Sequence, residues 1–129
     1  MSSASDVKAQ IEATIRRFID EVPALAPLKL IVGLDLRGRG DTQQYRIELP
    51  GPKITKGDPT DARVRVEMAR AFFNEMAKDA KVADWREAFL YGQAKATGVP
   101  QILKLIVHVV ERQEERAQLR RAKPGRGAS

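Results

Sequence analysis

Cysteine is absent from all 129 residues, which excludes disulfides, thiolate catalysis and cysteine-built zinc sites. A single histidine, His108, excludes a histidine-rich metal centre. Long apolar runs are missing too. The stretch 105–110 is broken by His108 and falls far short of the roughly 20 residues that span a bilayer. The opening MSSASDVKAQ has no basic start leading into an apolar run, so no secretory leader is expected. The closing GAS matches no peroxisomal or prenylation signal. The expected location is cytoplasmic. Nor does the sequence offer a nucleophile with a neighbouring base. No catalytic residues, no metal and no cofactor are therefore expected.

What is present fits one domain. A chain of 129 residues buries roughly two-thirds of its unfolded surface and needs no staple to fold. The net charge of +6 is unevenly placed. Arg120, Arg121, Lys123 and Arg126 lie in the last ten residues with no acid among them, which leaves +2 for the rest. Residues 5–119 are read as the folded domain and 120–129 as a basic disordered tail.

Apolar periodicity orders the elements. Val7, Ile11, Ile15, Phe18, Ile19 and Val22 recur at helical spacing, with Ser5 as N-cap and Pro23 as the stop. Leu28, Leu30, Val32, Leu34 and Leu36 then alternate with polar residues, as in a half-buried strand. Tyr45, Ile47 and Leu49 continue the alternation, residues 53–56 form a short third strand, and Ala62, Val64, Val66 and Met68 mark a fourth. Short strands joined by tight turns predict a largely antiparallel sheet with one wet face. After Met68 the period lengthens. Ala69, Phe72, Phe73, Met76, Ala77 and Ala80 form a helical stripe. A second helix starts at Asp84 with capping-box spacing to Glu87, carries Trp85, Ala88 and Phe89, and stops at Gly92. Residues 93–97 give a fifth strand, and Pro100 opens a last helix running to about Leu119. The order predicts an α+β fold: a curved, largely antiparallel five-stranded sheet with helices packed on one face.

The last helix is apolar over too wide an arc. On a helical wheel Ile102, Leu103, Leu105, Ile106, Val107, Val109 and Val110 cover roughly 200°. A helix lying on one sheet needs a stripe only a little over ~100° wide. Three arrangements account for the surplus: packing between other helices, a dimer interface, or the wall of an apolar cavity.

The segment DWREAFLYGQAKATG, residues 84–98, resembles the stretch that marks the sterol carrier protein type 2 family. In that family a short helix with an aromatic and an alanine leads to Gly, a short strand of small and basic residues, and another Gly. Here those positions are Trp85, Ala88, Gly92, Ala94, Lys95 and Gly98, while Gln93 and Val99 stand where a basic and an acidic residue are common. The likeness extends over about 28–111. It implies an apolar cavity between sheet and helices, and non-enzymatic binding or transfer of a fatty acid, fatty acyl-CoA or sterol-like lipid. Carried over, the lining is Phe72, Phe73, Met76, Trp85, Phe89, Leu103, Ile106, Val107 and Val110. Val32, Leu34 and Val66, with Leu30 and Val64, form the floor on the sheet side.

Other constellations weigh less. His108 sits at the polar edge of its helix among cations and reads as a surface residue. Asp58 and Asp61 read as turn formers. Arg46, Arg63 and Arg65, with the tail, raise a nucleic-acid-binding alternative. Glu48 and Glu67 interrupt the stripe, however, and no aromatic alternates with it to stack bases. The basic tail also suits transient contact with an anionic membrane, and the last helix suits a homodimer.

Overall fold

A computed structural model of the chain describes residues 4–127, with side chains described for 6–120. Helix α1 (Ala4–Glu21) and a 3-10 turn (Pro23–Leu25) precede strands β1 (Ile31–Arg37), β2 (Thr42–Glu48), β3 (Lys53–Lys56) and β4 (Val64–Ala69). Helices α2 (Arg70–Asp79) and α3 (Val82–Leu90), strand β5 (Ala94–Gly98) and helix α4 (Pro100–Gly127) complete the chain. The fold is α+β, as expected. No helix among the described residues is long and apolar enough to cross a membrane.

The sheet order is β3-β2-β1-β4-β5. Three pairings are antiparallel, but β1 and β4 run parallel, with Val32, Leu34 and Leu36 opposite Val64, Val66 and Met68. The sheet is therefore mixed. Two parallel neighbours need a crossover, and here residues 57–63 supply it by passing over the outer face. Pro59 is fully buried there and lies over Gly33, with its Cγ only 2.6 Å from where a Cβ on Gly33 would stand. Arg46 is bound to Asp61 at 2.8 Å and Arg65 to Asp58 at 2.9 Å. The Arg46 guanidinium, hydrogen-bonded to Asp61, holds that carboxyl below its ordinary value of 3.8.

The inner face carries the main core. Val7 and Ile11 of α1, Leu34, Leu36, Tyr45, Ile47 and Met68 of the sheet, and Phe73, Ala77, Trp85 and Ala88 of α2 and α3 bury together. A second cluster comprises Val22, Leu25, Val82 and Val110, with Leu28, Ile106 and Val109 packed against it and Phe18 packed against both clusters.

Several element boundaries differ from expectation: β1 starts at Ile31 rather than Leu28 and β4 at Val64 rather than Ala62. Ser5 lies inside α1 rather than capping it. Helix α3 begins two residues early, so Asp84 is not its N-cap; its carboxylate accepts the Lys81 backbone N–H at 2.8 Å, the reach-back half of a cap. Helix α4 continues to Gly127 through most of the tail expected to be disordered, while residues 128 and 129 lie outside the described residues. Arg112, Glu114, Glu115, Arg116 and Gln118 are adequate helix formers, so loss of apolar periodicity there is no stop signal.

Candidate functional site

Helices α2 and α3 leave an open groove of about 350 Å³ between them. Its floor and walls follow from the α2 repeat. Phe73 and Ala77 face the sheet and are buried. Phe72 and Met76, one residue earlier on each turn, are rotated by ~100° and look towards α3, half-buried. Phe72 meets Trp85 edge-on, with ring centroids 6.4 Å apart and planes at 88°. That geometry suits the aromatic quadrupoles and fixes the groove's inner end. Ala80 completes the apolar part, and Asp84 and Glu87 of α3, with Tyr91 at its C-cap, form the opposite lip.

Helix α1 sets the angle between α2 and α3. Arg17 donates to the carbonyls of Ala77 (3.0 Å) and Ala80 (3.4 Å), satisfying the C-terminal end of α2. Glu21 accepts the Val82 N–H at 2.9 Å, satisfying the start of α3. The far end of α3 closes as expected at Gly92, whose φ is +77°. There the Gln93 N–H donates to the Ala88 carbonyl at 2.8 Å.

The expected lining is divided. Leu34, Phe73 and Trp85 are buried in the main core, and Val32, Val66, Phe72 and Met76 pack against it. Of these, Phe72 and Met76 line the groove. Ile106 and Val110 belong to the second cluster instead, and Leu103 is half-buried. Phe89 is 38% exposed and Val107 55% exposed, so neither lines an interior. The second cluster covers the centre of the α4 arc, at Ile106, Val109 and Val110, and leaves its two flanks, Leu105 (44% exposed) and Val107, uncovered. Sequence reasoning missed Glu75, Asp79, Asp84, Glu87 and Tyr91 as groove residues. Their signal was present as polar positions beside the apolar stripe, three and four residues apart.

A second groove of about 280 Å³ lies between α1 and the β2–β3 turn, where Ile19, Ala26, Pro50 and Pro52 are accompanied by Arg16 and Asp20. It has no aromatic wall. His108 is exposed. On the outer face Arg46 and Arg65 are both occupied by aspartates of the crossover, which removes much of the basic stripe that a nucleic acid would need.

The architecture is that of the sterol carrier protein 2-like proteins: a five-stranded sheet with helices on its inner face. No family model and no curated protein matches the sequence. Among solved structures, the chain is similar to the palmitated SCP2L2 of Aedes aegypti determined by NMR, at 16% identity and a TM-score of 0.53, covering 78% of this chain and 93% of that one. It is also similar to the crystal structure of SCP2-L2 from Aedes aegypti, at 19% identity and a TM-score of 0.52, covering 81% and 97%. A ubiquinone synthesis protein, UbiJ-SCP2, shares 16% identity at a TM-score of 0.52, covering 88% and 96%.

Proposed function

We propose that this chain is a non-enzymatic lipid-binding domain that holds the apolar part of an amphiphile in the α2–α3 groove. The observation that carries the reading is the groove itself, of about 350 Å³ and floored by Phe72, Met76 and Ala80 with Trp85 behind Phe72. That volume lies within the range of small-molecule sites. A lipid chain gains ~25 cal/mol for each Å² of apolar surface it removes from water. A thioether and an aromatic wall adapt to imprecise apolar shapes. Tyr91, 72% exposed, puts an aromatic ring at the groove rim where a chain would enter. The sterol carrier protein 2-like fold, and the palmitate on one protein that shares it, support the same reading.

Native mass spectrometry of the purified chain, with solvent extraction of co-purifying lipid, is the direct test. Trp85 is the only tryptophan, so its emission reports on the groove through Phe72. A bound lipid and a saturable emission change on adding single-chain amphiphiles are expected. Absence of both would falsify the reading.

A further inference from the structure

Helix α4 outruns its own packing. Val110 is its last residue in an apolar cluster, yet the helix continues to Gly127, about 25 Å further at ~1.5 Å per residue. Past Val110, the bonds that tie it to the rest of the fold among the described residues are those of Arg86 with Glu111 and Glu114. Helices in proteins owe most of their stability to a packed face, and here one flank has none. On a helical wheel Gln101, Leu105, His108, Arg112, Arg116 and Leu119 fall within roughly 80°. All six are exposed, Leu119 by 62%. No acid lies in that arc: Glu111 and Glu114 are on the side of α3, and Glu115 falls just outside it. His108, Arg112 and Arg116 make no ion pair or hydrogen bond among the described residues. Leu105, Arg112 and Leu119 recur at heptad spacing, so they stand in one row along the axis. Two exposed leucines stabilise no core, and the unpaired arginines between them stabilise no neighbour.

We propose that this flank of α4 docks on an anionic lipid bilayer. The helix lies in the plane of the interface, with Leu105 and Leu119 at the acyl boundary. Arg112 and Arg116 rest on lipid phosphates, which a guanidinium binds through two donors at once. Charge argues for that partner. The chain carries +6, which steers it to an anionic surface. Arg120, Arg121, Lys123 and Arg126 follow on the same helix with no acid among them. A second copy is a poorer fit: two such rows paired about a two-fold axis set Leu105 against Leu119 but Arg112 against Arg112. A nucleic acid uses the arginines and leaves both leucines in water, with no aromatic to stack a base. Two leucines remove little apolar surface, so the contact is peripheral and reversible, and each basic residue near the surface strengthens it about fivefold. This surface is separate from the α2–α3 groove, and the inference stands whether or not that groove holds lipid.

The test sediments the full-length protein with vesicles of pure phosphatidylcholine and with vesicles in which about a third of the lipid is phosphatidylglycerol. Partitioning onto the second and not the first is expected, and it should fall steeply in ~0.5 M salt. The double variant Arg112→Gln, Arg116→Gln should weaken it about tenfold or more. Leu119→Gln, which leaves the charge alone, should weaken it about threefold or more. The reference double variant Lys29→Gln, Lys53→Gln removes the same charge from exposed positions outside α4 and should leave partitioning within about twofold. Thermal melts should be alike, since every substituted side chain is exposed. Where a double variant melts early, the single variants Arg112→Gln and Arg116→Gln carry the comparison. No partitioning onto the anionic vesicles, an equal loss in the two double variants, or no loss with Leu119→Gln overturns the inference. So does tighter binding to duplex DNA than to the anionic vesicles at the same salt, or a dimer that Leu119→Gln dissociates. The Trp85 response to amphiphiles is read separately, so the lipid-binding reading stands or falls on its own.

Discussion

Two residues of the sheet show how local chemistry limits what the fold tolerates. Tyr45 is fully buried. Burial raises its phenol above the ordinary value of 10.0, with Arg70 pulling the other way. The folded state thus keeps that proton after the unfolded chain has lost it. The resulting stabilisation is complete below pH 10 and is lost as pH climbs past 10 towards the raised value. Denaturant melts at a series of alkaline pH values should show this fall, and Tyr45→Phe should flatten it. An unchanged alkaline slope in the variant would assign the fall to other groups. Gly33 is the second case. A Cβ there meets Pro59 Cγ at 2.6 Å, and the proline ring has no free end that can swing away. Gly33→Ala should cost ~1–3 kcal/mol by overpacking. In a Pro59→Ala background the cost should shrink, because the crossover then has room, and the double-mutant cycle should be non-additive. Strictly additive losses would mean that Pro59 is not what Gly33 accommodates.

At the scale of elements, the α2–α3 corner depends on α1 more than on its own sequence. The arginine and glutamate that satisfy the two helix ends sit on α1, about 60 residues away in sequence (separations of 60, 61 and 63). Arg17→Met keeps the aliphatic stem and removes the donors, and should cost ~1–2 kcal/mol. It should also weaken any amphiphile response at Trp85, since the groove angle loosens. Full binding with a destabilised fold would separate the corner from the site. Such long-range caps were not legible in the sequence, because Arg17 and Glu21 look like ordinary polar positions of an amphipathic helix. What was legible is local. The alternation from Leu28 to Leu36 marked the inner face of β1 at Val32, Leu34 and Leu36, although the strand begins only at Ile31, and residues 53–56 coincide with β3. Gly92 stops α3 with a left-handed turn. Partner choice was not legible. A period of two says which side chains share a face, but not which strand lies alongside or in which direction. The parallel β1–β4 pairing therefore came only with the structure. The site followed the same rule: Phe72, Met76 and Trp85 stood out as apolar, while the acids of the opposite lip needed the two helices to be placed.

For the whole molecule the decisive feature is that the apolar side chains form two clusters rather than one. Trp85 and Phe72 belong to the main core with the sheet, whereas Ile106 and Val110 pack with Val22, Leu25 and Val82. The resemblance implied a single chamber walled by α4, whereas the apolar pattern itself left helix packing, a dimer interface and a cavity wall open, because it names the buried face and not what it is buried against. The two arrangements predict different outcomes for one substitution. Val110→Asp places a carboxylate at a position only 9% exposed, with a penalty of at least ~2 kcal/mol when no partner is supplied. With two clusters, that penalty should fall on α4. Its ion pairs, Arg86 with Glu111 at 4.0 Å and with Glu114 at 3.2 Å, are exposed or partly so and too weak to hold it alone. Hydrogen exchange should then show faster opening through residues 100–120, while β1 and β4 keep their protection. Trp85 should still respond to single-chain amphiphiles, because neither Phe72 nor Met76 packs against the second cluster. In a chamber walled by α4 the same aspartate would abolish the response and open the sheet together with the helix. Loss of both signals at once would therefore return α4 to the binding site, and retention of both in the face of a loosened α4 would leave the groove between α2 and α3 as the place where the ligand sits.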